Sequence, residues 1–185
     1  MVSLGSLWLP ILLSAVLAFF ASFVSWGLSG FHKSDYKRLP QEDEFLAVLK
    51  KVGPARGEYM FPFCASPDAA KKPETAKKFA EGPVGQITIR PPGMPPMAKM
   101  MALTFAFFVV VSVFVAYVGS RALRPGSEYL DVFQVVGTVA ILAYSASSIP
   151  HTIWFGRPWS STFKDIVDGV VYGLLTAGVF GWLWP

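Results

Sequence analysis

Residues 1–31, MVSLGSLWLPILLSAVLAFFASFVSWGLSGF, contain no Asp, Glu, Lys or Arg. Three later stretches share this property, residues 100–120, 132–156 and 169–185. A helix needs about 20 mostly apolar residues to cross a hydrocarbon core of roughly 30 Å. The first three runs reach that length and the fourth just approaches it. The pattern therefore predicts four transmembrane helices, over residues 1–31 and about 99–120, 130–150 and 163–184.

The composition agrees with a membrane protein. The chain is 53% hydrophobic and only 15% charged, whereas soluble domains carry about a quarter charged residues. A soluble globular protein is therefore excluded. The expected fold class is an all-α membrane protein, with four transmembrane helices and a small extramembrane insert between the first and the second.

The insert, residues 32–98, has its own local signals. Acids at positions 42–44, apolar residues at 45–49 and a basic end before Gly53-Pro54 predict a helix over residues 40–52. Residues 58–63 and 84–90 have the composition of strands, and residues 73–80 that of a second helix. The insert is predicted to be an α-β-α-β unit that ends in a stiff, proline-rich tether at residues 91–96.

The basic residues indicate an orientation. With four crossings, of the 16 Lys and Arg residues only Arg121 and Arg124 fall on the side opposite the insert. Because positive residues concentrate in cytoplasmic loops, the sequence places the insert in the cytoplasm and both termini outside. The single cysteine, Cys64, does not bear on this choice because it cannot form an intramolecular disulfide.

Small residues repeat every fourth position in the last helix, at Gly169, Gly173, Ala177 and Gly181. Such a ribbon lets another helix backbone approach closely. We expect it to pack against a helix of the same chain. A homo-oligomer interface is the alternative.

Polar and aromatic side chains gather around the third and fourth helices, and their sequence positions make an interfacial ligand site conceivable. Arg157 between two tryptophans could hold a lipid head group. Interhelical hydrogen bonds and an aromatic membrane anchor are the simpler explanations for the same residues. The candidate residues for lipid or ligand binding are Tyr144, Ser148, His151, Trp154, Arg157, Trp159, Asp165 and Asp168.

Acids next to the last helix have an ordinary explanation as well. Asp168 and Lys164 are one turn apart and able to pair. Asp168 is expected at the start of the helix, where the helix dipole favours an acid, and Asp131 has the same role in the third helix.

Motifs for catalysis or cofactor binding are missing from the sequence. There is no GxSxG, HExxH, P-loop or GxGxxG, so we assign no catalytic residues and favour a non-enzymatic protein. His32 and His151 could be drawn as metal or haem ligands, but no HxxxH or CxxC spacing supports them. No cofactor is therefore predicted. The net charge of +4 suits anionic lipid rather than nucleic acid.

Four segments together resemble a family of uncharacterised bacterial integral membrane proteins. They are HKSDYKRLPQEDEFLAVL from residue 32, GEYMFPFC from residue 57, EGPVGQITIRPPG from residue 81, and IWFGRPWSSTFKDIVDGVVYGLLTAGVFGWLWP from residue 153. The resemblance spans nearly the whole chain. It implies a bacterial inner membrane and a self-contained unit, and it transfers no activity or catalytic residue.

Three functional hypotheses follow. The first is a non-enzymatic accessory, scaffold or assembly subunit that binds a protein partner or a second copy within the bilayer. The second is a lipid- or small-solute-binding or transport protein with an interfacial pocket between the third and fourth helices. A metal- or haem-binding redox protein comes third.

Overall fold

The computed structural model describes residues 2–185, and the protein is helical for 69% of its length. The described residues form eight α-helices and two strands. They are α1 (Trp8–Phe23), α2 (Glu42–Val52), β1 (Gly57–Phe61), α3 (Pro67–Ala70), α4 (Pro73–Glu81), β2 (Gly85–Ile89), α5 (Met97–Ala122), α6 (Tyr129–Ser145), α7 (Ser148–Phe155) and α8 (Trp159–Trp182). A 3-10 turn, Leu4–Leu7, precedes α1, and a π-helical turn, Val24–Leu28, extends it.

Within residues 2–185, three helical stretches are long and apolar enough to cross a membrane: Leu4–Leu28, Met97–Ala122 and Tyr129–Phe155. These three helices are consistent with a multi-pass membrane protein. The fourth predicted crossing forms a helix, α8, but α8 is not one of these three. It carries Lys164, Asp165 and Asp168 in its first half, which makes that half less apolar.

The small-residue ribbon of α8 packs against α6 of the same chain, as we expected. A Cβ atom added at Gly169 would lie 2.7 Å from the Cβ of Ser145, and one added at Gly181 would lie 2.7 Å from the ring of Tyr129. At the middle of the interface, Gly137 of α6 faces Ala177. Since the partners on α6 run backward as α8 advances, the two helices are antiparallel and in backbone contact over most of their length.

Two apolar clusters fill the centre of the helical unit. One contains Leu7, Val115, Val132 and Phe180. This cluster connects the start of α1, the end of α5, the start of α6 and the end of α8. The other lies further along and contains Ala18, Phe108 and Tyr172. These contacts place the end of α1, the start of α5, the end of α6 and the start of α8 at the opposite end of the bundle.

The insert forms a second compact unit, Lys37–Met94. The predicted helix–strand–helix–strand order is present, with α3 as an additional single turn before α4. Its two strands pair antiparallel, with Gly57 opposite Ile89 and Phe61 opposite Gly85. Residues up to Tyr36 belong to the helical unit instead, because the segment before Tyr36 is bound to α8 as described below.

Candidate functional site

The end of α1 widens into a π-helical turn. The N–H of Ser29 donates to the carbonyl of Val24 at 2.8 Å, five residues back. Single π-helical turns are rare in proteins, and those that occur are often located at functional sites. Here the turn carries Ser25 and Trp26, and both side chains contact the charged residues described next.

A 3-10 turn follows directly and aligns His32 with Asp35. Gly30 adopts a positive φ of 69°, which a glycine tolerates, and reverses the chain. The N–H of Asp35 then donates to the carbonyl of His32 at 3.0 Å. Because residues i and i+3 eclipse in a 3-10 helix, the carboxylate of Asp35 reaches the Nδ1 atom of His32 at 2.6 Å.

His32 is buried between two carboxylates. Its Nε2 atom lies 3.1 Å from Oδ2 of Asp168 on α8, and the residue is only 4% exposed. The ring stacks on Trp26, with centroids 3.8 Å apart and an interplanar angle of 3°. A neutral imidazole has one N–H and one lone pair. Both nitrogens face carboxylate oxygens, so a neutral imidazole can donate in only one of the two contacts. One additional proton is needed to make both contacts hydrogen bonds.

Asp168 accepts hydrogen bonds from three elements. The hydroxyl of Ser25 donates to Oδ1 at 2.7 Å, and the hydroxyl of Tyr172 donates to Oδ2 at 3.0 Å, the oxygen that also faces His32. The expectation of an acid at the helix start is wrong for Asp168, because α8 begins at Trp159 and Asp168 lies buried in its third turn. Asp131 does lie in the first turn of α6.

Lys164 does not pair with Asp168, contrary to the sequence prediction. Its ammonium group donates to Oδ1 of Asp35 and to the hydroxyl of Ser34, both at 2.7 Å. The turn after α1 supplies these acceptors from a distant part of the chain, and the buried carboxylate of Asp35 needs the positive charge.

Asp35 contacts Lys164, His32 and Ser161. Burial by itself would raise its pKa, but hydrogen bonds from Lys164, His32 and Ser161 outweigh burial and lower the pKa from 3.8 to about 2. Asp35 is thus ionised at neutral pH and ties the turn after α1 to α8.

Arg157 and Asp165 form a second ion pair nearby. Both terminal nitrogens of the guanidinium group donate to the carboxylate, in the two-bond geometry that arginine favours. The hydrogen bond to Asp165 is the main reason that the pKa of Arg157 is raised. The guanidinium group is therefore already neutralised by Asp165, which disfavours the expected contact with a head-group phosphate.

A pocket of about 530 Å³ opens beside these ion pairs. Six of the eight predicted ligand residues line it: Tyr144, Ser148, His151, Arg157, Asp165 and Asp168. Four further residues that are not among these eight complete the lining: Trp26, Tyr36, Ser147 and Tyr172. Trp154 and Trp159 do not line this pocket; they are 78% and 62% exposed, as expected of an aromatic membrane anchor.

An apolar groove of about 590 Å³ lies on the other side of Asp168. Its walls come from the end of α1 and from α8 and include Val24, Phe31 and Val171. Asp168 and Tyr172 line both the pocket and the groove. The carboxylate of Asp168 therefore stands where a polar cavity and an apolar surface meet.

The two histidines are used differently. Both nitrogens of His32 are engaged by carboxylates, whereas His151 is exposed and its ring rests 5.0 Å from that of Phe155. Across residues 2–185, no group of three or more His, Cys, Asp or Glu side chains has the arrangement of a metal site.

Ser25, Trp26 and Tyr172 are contributors that sequence reasoning did not link to this site. A weak signal was present, because Ser25 and Trp26 end the first charge-free run and His32 and Asp35 follow at a spacing of three. Nothing in the local sequence pointed to α8 as their partner.

No family model, curated protein or solved structure matches the chain. The geometry of the pocket is therefore the basis on which a function is proposed.

Proposed function

We propose that the protein binds a small solute or a lipid head group in the pocket lined by the end of α1 and by α6, α7 and α8. The observation that carries this proposal is the pocket itself. It gathers six residues that the sequence marked as ligand candidates, at the charged end of an otherwise apolar bundle.

The size and chemistry of the pocket support a ligand. Its volume of about 530 Å³ falls within the range of roughly 300 to 1,000 Å³ that small-molecule sites occupy. Aromatic rings form much of its lining, and charged groups converge on it from the loop after α7 and from α8. Such a combination of aromatic walls and a few fixed polar groups is typical of a binding site.

The membrane arrangement that fits this proposal has four crossings. The first half of α8 is bound to the turn after α1 through the contacts of Lys164 with Asp35 and of Asp168 with His32. The other end of α8 returns to the loop between α5 and α6, where the N–H of Gly126 donates to the carbonyl of Pro185 at 2.6 Å. The end of α1 and the end of α5 lie at opposite ends of the bundle, and α8 runs from one to the other. If α1 and α5 cross the bilayer, α8 therefore crosses it too. We place the protein in a bacterial inner membrane with the insert in the cytoplasm.

The pocket then lies near the head-group region rather than at the membrane centre. Charged groups in a bilayer are tolerated at such interfaces and mark sites of function when they converge on a cavity. A ligand could enter from the water or from the lipid at this depth.

The experiment is native mass spectrometry of the protein purified in mild detergent. A Ser147→Trp variant fills the pocket from an exposed position, and Ala146→Trp places the same ring on the neighbouring residue, which does not line the pocket. We expect a bound small molecule or lipid in the wild type and in Ala146→Trp, and its loss in Ser147→Trp. Equal retention in both variants, or no bound species in the wild type, would contradict the proposal.

The accessory-subunit and redox hypotheses stay predictions without an observation in their favour. In particular, the ribbon Gly169, Gly173, Ala177 and Gly181 is occupied by α6 and is not a free surface for a partner.

A further inference from the structure

We infer that the ligand of this pocket is an organic cation that competes with a proton for Asp168. This inference rests on the proposed function and names the class of ligand. It follows from the charge balance, the hydrogen bonding and the aromatic lining of the site.

The permanent charges of the site do not balance. Three carboxylates, Asp35, Asp165 and Asp168, face two cations, Lys164 and Arg157. Lys164 is bound to Asp35 and Arg157 is bound to Asp165. Among residues 2–185, Asp168 has no lysine or arginine partner, and the ionisable side chains that it contacts are His32 and Tyr172.

A proton on the His32–Asp168 pair supplies the missing charge. Nδ1 of His32 faces Asp35 at 2.6 Å and Nε2 faces Asp168 at 3.1 Å. An additional proton, placed either on the imidazole or on Asp168, turns both contacts into hydrogen bonds. Without that proton, a lone pair of the imidazole opposes a carboxylate oxygen, and a buried negative charge remains unpaired.

A cation in the pocket would supply the same charge. Asp168 lines the pocket, and its two oxygens accept from Ser25, Tyr172 and His32 only. A carboxylate offers about four acceptor sites, so one remains for a ligand. The cation and the additional proton neutralise the same buried charge, and each therefore weakens the binding of the other.

Aromatic rings around Asp168 favour an organic cation over a metal ion. Trp26, Tyr36, Tyr144 and Tyr172 line the same pocket. The faces of such rings attract ammonium and phosphonium groups within about 6 Å of the ring centre. The apolar groove on the other side of Asp168 offers a surface for the hydrocarbon part of an amphiphilic cation.

An anionic ligand fits less well. Arg157 is the only guanidinium group in the lining, and both of its terminal nitrogens already bind Asp165. An anion would have to displace that carboxylate. Asp165 and Asp168 would then both lie in the pocket without a cation.

The test compares two ions of the same shape and opposite charge. Tetraphenylphosphonium and tetraphenylborate are offered to the full-length protein in maltoside micelles, and binding is measured by equilibrium dialysis between about pH 6 and about pH 8. We expect the protein to bind tetraphenylphosphonium above the background of empty micelles and not tetraphenylborate. Because the cation and the proton compete, the apparent Kd should rise as the pH falls, by up to about tenfold for each pH unit.

Proton release gives a second readout that needs no variant. Calorimetric titration with tetraphenylphosphonium in buffers of different ionisation enthalpy should show up to about one proton released for each cation bound. The Asp168→Asn variant should lose cation binding. Its amide oxygen can accept from one of the two hydroxyls of Ser25 and Tyr172, and its NH2 group can donate to the other. Asp131→Asn is the matched control, because Asp131 is an exposed acid in the first turn of α6.

The outcomes separate this inference from the proposed function. Binding of tetraphenylborate but not of tetraphenylphosphonium, or cation binding with neither pH dependence nor proton release, would overturn the inference and leave a binding pocket in place. If neither ion binds while Ser147→Trp still removes a co-purified lipid, the cation is likewise excluded and the pocket stands. If neither ion binds and no species co-purifies, both proposals fail.

Discussion

Nε2 of His32 lies 3.1 Å from Oδ2 of Asp168, although the two residues are 136 positions apart in the chain. This contact joins the turn after α1 to the third turn of α8. It closes the helical unit at the end where the pocket opens. Because Asp168 takes part both in packing and in the proposed ligand site, we predict separate effects on stability and on binding.

Replacing His32 should destabilise the protein strongly. In His32→Ala, Asp168 and Asp35 each lose a partner in a buried setting, and removing one partner of a buried ion pair costs about 3 to 5 kcal/mol. His151→Ala is the control, since His151 is exposed and exposed substitutions usually stay within about 0.5 kcal/mol. Thermal melts in detergent compare the two, and similar melting temperatures would contradict a structural role for His32.

The contact between His32 and Asp168 could not be predicted from the sequence. The charge-free runs predicted the long helices because the bilayer excludes charges, and the spacing of Gly169, Gly173, Ala177 and Gly181 predicted a close helix–helix interface. Neither pattern tells which distant residue a polar side chain meets. The π-helical turn that carries Ser25 and Trp26 has no sequence signature of its own, and the start of α8 at Trp159 had to be known before Asp168 could be placed inside the helix.

Trp154 and Trp159 illustrate a different limit. They were selected with Arg157 because the three are close in sequence, yet only Arg157 lines the pocket. The two tryptophans flank the turn at Gly156, which ends α7 with a φ of 67°. At such a turn, neighbours in sequence point in different directions, so proximity along the chain was a poor guide to proximity in space.

Acid should weaken the interaction of the Asp35 carboxylate with α8. In the folded protein its pKa is lowered from 3.8 to about 2, so its stabilising contribution is complete above about pH 4 and is lost as the pH falls towards 2. The wild type should therefore lose stability over this range, and Asp35→Asn should lose less because the variant lacks the ionisable group. Melting temperatures recorded against pH for both proteins, with Asp131→Asn as control, measure the difference. Parallel curves for the wild type and Asp35→Asn would contradict the assignment.

The interface between α6 and α8 should not tolerate a side chain at Gly173. A Cβ atom there would lie 2.9 Å from the backbone nitrogen of Ile141, closer than real contacts allow, so Gly173→Ala should cost about 1 to 3 kcal/mol through overpacking. At Gly178 the nearest atom is the Tyr129 hydroxyl at 3.8 Å. Gly178→Ala should therefore be neutral or stabilise the helix by up to about 1 kcal/mol. Equal effects of the two substitutions on thermal stability would refute the proposed packing.

The ion pair between Arg157 and Asp165 should show measurable coupling. A double-mutant cycle with Arg157→Gln and Asp165→Asn is expected to give about 1 kcal/mol or more, because the side chains are only 27% and 20% exposed and make two hydrogen bonds. The exposed pair of Lys77 and Glu81 on α4 provides the control cycle, where coupling of about 0.3 to 0.5 kcal/mol is typical of such helix pairs. Coupling at Arg157 no larger than in this control would show that the guanidinium group is free for a ligand.

The membrane arrangement can be tested with the single cysteine of the chain. If the insert is cytoplasmic, a membrane-impermeant maleimide should not label Cys64 in intact cells and should label it after permeabilisation. In a Cys64→Ser background, Glu128→Cys reports on the exposed loop between α5 and α6, and Pro185→Cys reports on the chain end.

Both new cysteines should be labelled in intact cells, because the carbonyl of Pro185 accepts from Gly126 in that loop and a crossing by α8 carries the chain end to the same side. Labelling of Cys64 together with protection of both Glu128→Cys and Pro185→Cys would reverse the orientation and retain four crossings. Opposite behaviour of Glu128→Cys and Pro185→Cys would instead rule out a crossing by α8. It would also place the His32–Asp168 contact at a different depth from the one that the binding proposal requires.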